Sequence, residues 1–292
     1  MIRLIRFYFQ TLSIAAPTLA GKQAFLLFQK TKKNVIRKNE RQFYNLSRHF
    51  TIPHHLEDID CYELGDPKKP MVLLVHGWDS NAGSMAAIAF QLVEKGYYVV
   101  AFNLPAHGFS KLKRVNLKTC REYFLAVVEK IYPDKPFTVI AHSFGSAVAT
   151  FSLSDSRFDI DKLILLTNPN RFIEVLRGYQ LLVKLSDKSF NIMLEMAEKL
   201  IGQPVTKMNI EDMGKKINYD NLLLIHDRSD KVIPYQNSIA VKDKWDNSEL
   251  VTLEKIGHYK MLWNEHVINS IIQFLDSPKV GKLEKTNSKL AS

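Results

Sequence analysis

Three polar side chains lie far apart along this sequence yet share a local setting. Ser143 in "VIAHSFGSAVA", Asp230 in "HDRSDKVIP" and His258 in "GHYKML" each follow a run of apolar, β-type residues. A hydroxyl, a carboxylate and an imidazole are the set that acyl transfer requires. A serine hydroxyl is a poor nucleophile near neutral pH, so a base must take its proton during attack. Histidine, with an unperturbed pKa of about 6.5, suits that task. The carboxylate then fixes the imidazole tautomer and stabilises the imidazolium. Taken singly, Ser143 also reads as a helix N-cap and His258 as a loop histidine. Asp227 competes with Asp230 for the acid.

The elements that must position these residues alternate between two periodicities. "IDCYELGD" (59–66) reads as an edge strand, and "MVLLVHGW" (71–78) as a strand buried on both faces. Helical patterns at 81–96, 116–132 and 147–155 alternate with strand patterns at 97–105, 137–142 and 161–169. After a gap come a strand at 221–227, a helix near 236–245, a strand at 249–256 and a helix near 260–275. Such alternation predicts a mostly parallel sheet with helices on both faces. Ligand sites in such sheets gather at the carboxyl ends of the strands, where Ser143, Asp230 and His258 all fall. Residues 170–220 break the rhythm with helical patterns and are expected to cover that end as a cap. In that segment Tyr179, Leu181, Leu182, Phe190, Met193, Leu194 and Met196 read as cap core, with an acyl pocket as the alternative.

The ordered signatures "HGW", "PAHG", "HSFG", "HDxxDxxxP" and "GH", each at a predicted strand end, resemble those of the α/β-hydrolase superfamily, in particular bacterial esterase-like serine hydrolases. The resemblance covers roughly residues 55–276. It implies an α/β-hydrolase fold with a helical cap insertion, with Ser143 as nucleophile, Asp230 as acid and His258 as general base. It also implies an oxyanion hole made by the backbone N–H groups of Trp78 and Phe144. The implied activity is hydrolysis of carboxylic esters, or of thioesters or small amides, through an acyl-enzyme. An acyltransferase on the same triad and a non-catalytic, membrane-associated binding module are the alternatives. No metal or organic cofactor is implied, and the expected partner is a small, apolar acyl substrate. Ala141 stands where the G-x-S-x-G pattern has its first glycine. On the elbow, the residues two before and two after the serine are expected to lie close, with Gly145 giving room for the Ala141 methyl. Asn103 stands where relatives often carry aspartate, and Asp227 where they often carry glycine.

Composition sets the remaining bounds. The 292 residues suffice for one large core or two modest ones, and the net charge is +10. Much of the basic excess lies in Lys22 to Arg41 and in the tail after Ser277. Solvated faces and a disordered tail are the plain reading. Electrostatic contact with a membrane surface or acidic partner is the functional one, and no nucleic-acid-binding motif accompanies the charge. The first 22 residues loosely resemble a signal peptide, but Gln10, Thr11, Ser13 and Pro17 interrupt the apolar run. We read an N-terminal helical segment over 1–49 packed on a 50–276 domain, a peripheral amphipathic anchor being the alternative. Cys61 and Cys120 have no metal-site spacing and fit a reducing, cytoplasmic setting, peripheral to the inner membrane face at most. His54 and His55 have no carboxylate or cysteine at ligand spacing and read as solvent-facing.

Overall fold

A computed structural model describes residues 1–32, 36–132 and 135–278. Eight strands form one sheet in the order β1-β2-β4-β3-β5-β6-β7-β8. They are β1 (Arg48–Ile52), β2 (Ile59–Leu64), β3 (Met71–Val75), β4 (Tyr98–Phe102), β5 (Phe137–His142), β6 (Asp159–Leu166), β7 (Asn218–Asp227) and β8 (Ser248–Leu253). Strands β3 to β8 pair in parallel, while β2 pairs antiparallel with both β1 and β4. The fold is the α/β-hydrolase fold.

Every residue of β3 and β5 is buried, as central parallel strands covered on both faces require. Successive side chains serve opposite layers. Leu73 and Val75 pack with α5 (Leu117–Ile131) and α6 (Phe144–Leu153), and that layer also takes Val241 of α9 (Gln236–Lys244). Val72 and Leu74 pack with α4 (Ala86–Glu94) and α10 (Glu265–Asp276), together with Phe43 of α3 (Lys38–Leu46). Two asparagines start helices of these layers. Asn116 accepts the N–H of Thr119 at 3.0 Å, and Asn264 accepts those of His266 and Val267.

The sheet edge departs from the sequence reading. Ile59–Leu64 is not the edge, because β1 pairs outside it from Arg48↔Glu63 to Ile52↔Ile59. Only Ile52 of β1 is buried, so "RHFTI" carries too few core residues to announce a strand. The segment expected to be helical to residue 49 therefore ends earlier.

The N-terminal segment is also more than one helix. Pro17 lacks the N–H that would continue α1 (Ile2–Ala15), and it opens α2 (Pro17–Phe28) at the first helical turn. The expected insertion contributes α7 (Phe172–Val183), α8 (Asp187–Ile201) and three short 3-10 turns. These two sections share one core: Phe9, Ala20, Ala24 and Phe25 lie with Leu176, Val183, Phe190 and Met193. Gly21 makes the close approach possible, since a Cβ there would lie 2.4 Å from the Ser189 carbonyl oxygen. The cap is thus built from α1 and α2 as well as from 170–220. Of the basic tail, residues 279–292 lie outside the described residues.

Candidate active site

Ser143 sits between β5 and α6 with φ +52° and ψ −122°, a backbone conformation that side chains other than glycine rarely adopt. This sharp strand-to-helix turn holds the hydroxyl at the top of the sheet. The room that Gly145 provides is not directed chiefly at Ala141. A Cβ on Gly145 would lie 2.4 Å from the His76 carbonyl oxygen and 2.5 Å from that of Val75. The constraint comes from the end of β3, whereas Ala141 is tied through its own carbonyl, which accepts Ser146 Oγ at 3.0 Å.

The Ser143 hydroxyl lies 3.0 Å from His258 Nε2, and His258 Nδ1 lies 2.8 Å from Asp230 Oδ2. All three residues are in or just beyond the loops that leave β5, β7 and β8. Asp230 Oδ1 accepts the N–H groups of Val232 at 2.7 Å and Ile233 at 3.0 Å, while Oδ2 also accepts the Thr167 hydroxyl at 2.6 Å. Burial alone would raise the Asp230 pKa. Hydrogen bonds from His258, Thr167, Ile233 and Val232 outweigh that burial and hold the carboxyl well below the usual carboxylate range. Asp230 therefore stays ionised beside the His258 ring near neutral pH.

Asp227 has a different task. Its Oδ1 accepts the Ser229 N–H at 2.6 Å and the Ser229 hydroxyl at 2.7 Å; its Oδ2 accepts the N–H groups of Ile256 and Gly257. It has no hydrogen bond to His258 among the described residues. It fastens the end of β7 to the loop carrying His258.

Two supporting residues, Thr167 and His142, escaped the sequence reading, whereas His76 and His107 bond loops around the site as their place after β3 and β4 leads one to expect. Thr167 follows β6 in "LLTNP", a strand end of the kind already inspected elsewhere. His142, directly before the serine, donates from Nε2 to the His258 carbonyl at 3.0 Å. Burial, together with the neighbouring His258 ring, pushes its pKa down to about 3, so it remains a neutral tether. His76 joins the loops after β3 and β4: Nδ1 donates to the Gly77 carbonyl, and Nε2 accepts the Leu104 N–H. His107 Nε2 accepts the Asp79 N–H at 3.1 Å. Asn103, in the position noted above, accepts the Ala82 N–H at 2.9 Å.

Phe144 is the first residue of α6, so its N–H has no carbonyl one turn earlier to reach. Trp78 follows Gly77, whose absent Cβ would stand 3.1 Å from Ser143 Cβ. The Trp78 and Phe144 rings meet edge to face at 5.1 Å. Two cavities adjoin Ser143, Trp78 and Asp79. One, of about 510 Å³, is walled largely by apolar side chains, among them Phe28, Phe144, Ala147, Phe172, Leu176 and Tyr179. The other, of about 80 Å³, is lined by more polar groups such as Arg37, Glu40, Ser80, Asn81 and His258.

The cap residues divide accordingly. Tyr179 and Leu182 line the larger cavity, Phe190 and Met193 are cap core, and Leu181 is exposed. The N-terminal contribution to that cavity, from Phe25, Leu27 and Phe28, has no counterpart in the sequence reading. The chain beyond α2 is stitched to the site loops. Gln29 O accepts the Val115 N–H, Thr31 donates to the Ala106 carbonyl, and the Lys32 N–H donates to Asp79.

His55 is exposed and His54 half-buried, close to the solvent-facing reading of the pair. Glu122 of α5 brings its carboxylate to His54 and His55, all three ligand atoms lying within 4.8 Å of one another. Sequence spacing missed this group because the carboxylate arrives from a helix packed across the β1–β2 loop. Cys61 and Cys120 are free and buried.

A family model described as "Serine aminopeptidase, S33" matches residues 66–207, and one described as "TAP-like protein" matches residues 195–287. The chain belongs to the α/β-hydrolase superfamily. Among curated proteins, a "Serine hydrolase-like protein" of Mus musculus is 31% identical over 114 residues, 38% of this chain and 36% of that protein. Its Homo sapiens counterpart is 28% identical over 113 residues, covering 38% and 55% respectively. The matches thus span about a third to a half of those relatives' length. Among solved structures, Est1E from Butyrivibrio proteoclasticus with bound ferulic acid has a TM-score of 0.64 at 20% identity. It covers 78% of this chain and 100% of its own. A structure titled a membrane phospholipase A has a TM-score of 0.63 at 19% identity, covering 94% of this chain and 98% of its own. At these identities the structures share the fold alone.

Proposed function

We propose that this chain is a serine hydrolase that cleaves carboxylic esters through an acyl-enzyme, and that its substrates join an apolar acyl chain to a small polar leaving group. The observation that carries the reading is the continuous contact from Ser143 Oγ through the His258 ring to Asp230, at 3.0 and 2.8 Å. Ser143 Oγ attacks the ester carbonyl as its proton passes to His258 Nε2. The oxyanion then accepts hydrogen bonds from the N–H groups of Trp78 and Phe144, each such donor being worth about 3 kcal/mol in the transition state. As the intermediate collapses, the C–O bond to the alcohol breaks and the His258 proton goes to the departing oxygen. Water, deprotonated by the same nitrogen, then attacks the acyl-enzyme and releases the acid. The apolar cavity suits the acyl chain, and the smaller polar one suits the alcohol.

The test is a fluorophosphonate probe together with p-nitrophenyl esters of graded acyl length. Wild-type protein should be labelled and should turn the esters over, while a folded Ser143→Ala variant does neither. Labelling of that variant at the wild-type level would move the nucleophile elsewhere and end the proposal.

A further inference from the structure

Helix α1 is apolar on two sides. Phe9 and Ser13 are buried, with Ile5 and Leu12 packed on the cap core. The opposite face presents Leu4, Phe7 and Ile14, which remain 74%, 70% and 87% exposed. Leu181 and Leu182 of α7 are exposed as well, and α1 is bonded to that helix through Arg6 Nε, 2.9 Å from the Leu182 carbonyl. Leu182 is also a wall of the large cavity. Helix α1 therefore borders the α7 wall of the cavity beside Ser143.

The N-terminal segment that carries this face has charge of one sign. Residues 1–39 contain eight Lys or Arg and no Asp or Glu. On the neighbouring elements Lys184 is exposed, while the acidic groups Glu174 and Asp187 are matched by Arg171 and Arg177. A second copy docking on the same face would set these cations against each other. An anionic lipid surface supplies both the apolar depth and the opposite charge. The 14 residues of α1 extend about 21 Å, short of the roughly 30 Å hydrocarbon core. Among the described residues no helix is long and apolar enough to cross a membrane. A helix apolar on its outer face can lie in the plane of the interface.

We propose that the outer face of α1, with Leu181 and Leu182, rests on an anionic lipid surface and that the acyl chain passes from that surface into the cavity. The docking stands on the face itself; the transfer of an acyl substrate rests on the ester-hydrolase reading above. Phe7→Asp combined with Ile14→Asp changes two exposed side chains remote from the triad and leaves the fold intact, which thermal unfolding checks.

The full chain is sedimented with vesicles of phosphatidylcholine alone and with about 30 mol% phosphatidylglycerol. Wild-type protein binds the anionic vesicles, binding weakens at high salt, and the double variant loses about tenfold or more of its partitioning. The variant keeps wild-type cleavage of p-nitrophenyl acetate but cleaves a vesicle-embedded ester more slowly. Wild-type protein that hydrolyses the soluble ester yet stays in the supernatant with anionic vesicles overturns the docking and leaves the ester reading standing. Vesicle binding lost in the variant, with neither ester cleaved by wild type, keeps the docking and ends the ester reading. A wild-type dimer that the double variant dissolves, without vesicle binding, replaces the lipid surface with a second copy and overturns the proposal.

Discussion

The Thr167 hydroxyl donates to Asp230 at 2.6 Å, to the same carboxylate oxygen that holds His258 Nδ1 at 2.8 Å. Thr167 is wholly buried at the end of β6, with its N–H bonded to Ile225 on β7. It holds the Asp230 carboxylate that meets the His258 ring, without reaching Ser143 itself.

Thr167→Val keeps the side-chain shape and removes one hydrogen bond to a charged group. A loss of about 1.5–3 kcal/mol of orientation corresponds to roughly a ten- to hundredfold fall in kcat. KM should hardly change, and Thr167→Ser should restore most of the rate. Steady-state kinetics on a soluble ester checks this; an unchanged kcat in the valine variant would make Thr167 a packing residue only.

Strain at the serine gives a second expectation. Ser143 and its alanine substitute both hold a Cβ at φ +52°, whereas glycine carries no penalty there. Both inactive variants should fold, and Ser143→Gly should be the more stable by about 1 kcal/mol in urea denaturation. At Gly145 the sign reverses. A methyl 2.4 Å from the His76 carbonyl oxygen meets backbone that cannot yield, so Gly145→Ala should cost about 2–3 kcal/mol. A Gly145→Ala variant as stable as wild type would contradict the close approach of β3 to the elbow.

The parallel core of the sheet was legible in the sequence because buried parallel strands are nearly continuous apolar runs, as in "MVLLV" and "FTVIAH". Ser143, Asp230 and His258 could be picked out because each follows such a run, and the structure brings the three into contact. β1 was not legible, since an edge strand with only Ile52 buried has no apolar alternation to read. The joint origin of the cap was hidden for another reason. Helical periodicity shows that a face is apolar, but not that Phe25 and Phe190 share a core across 165 positions. Thr167 and Asp227 illustrate the remaining limit. Their roles depend on which backbone and side-chain groups surround them, which local spacing does not encode.

Acid should unfold the protein earlier than its carboxylates alone would. Burial lowers the pKa of His76 well below its ordinary value, that of His107 to about 4, that of His142 to about 3, and it lowers that of His226 as well. Each binds protons more readily in the unfolded chain, where the pKa is about 6.5. Their contribution is therefore complete above about pH 6.5 and is lost as pH falls, by about 2 kcal/mol at pH 5 for each of His107 and His142. Asp230 and Asp227, depressed in the fold, add a further loss below about pH 4. Urea midpoints measured between pH 7.5 and 5 should decline steadily. A flat profile over that range would mean that these histidines are not held neutral.

The acyl cavity gives the last prediction. Ala147, in the first turn of α6, lines the larger cavity together with Ser143, and its methyl is part of the cavity wall. Phe28, from α2, stacks on Trp78 at 6.2 Å and closes the same wall from the N-terminal side. Ala147→Phe fills part of this cavity without adding a polar group. It should lower kcat/KM for long acyl p-nitrophenyl esters by about tenfold or more while leaving acetate esters within about threefold. Phe28→Ala removes wall and should favour bulkier acyl groups. If Ala147→Phe slowed all chain lengths equally, the acyl chain would not run along this wall, and the 510 Å³ cavity would have to receive the alcohol instead.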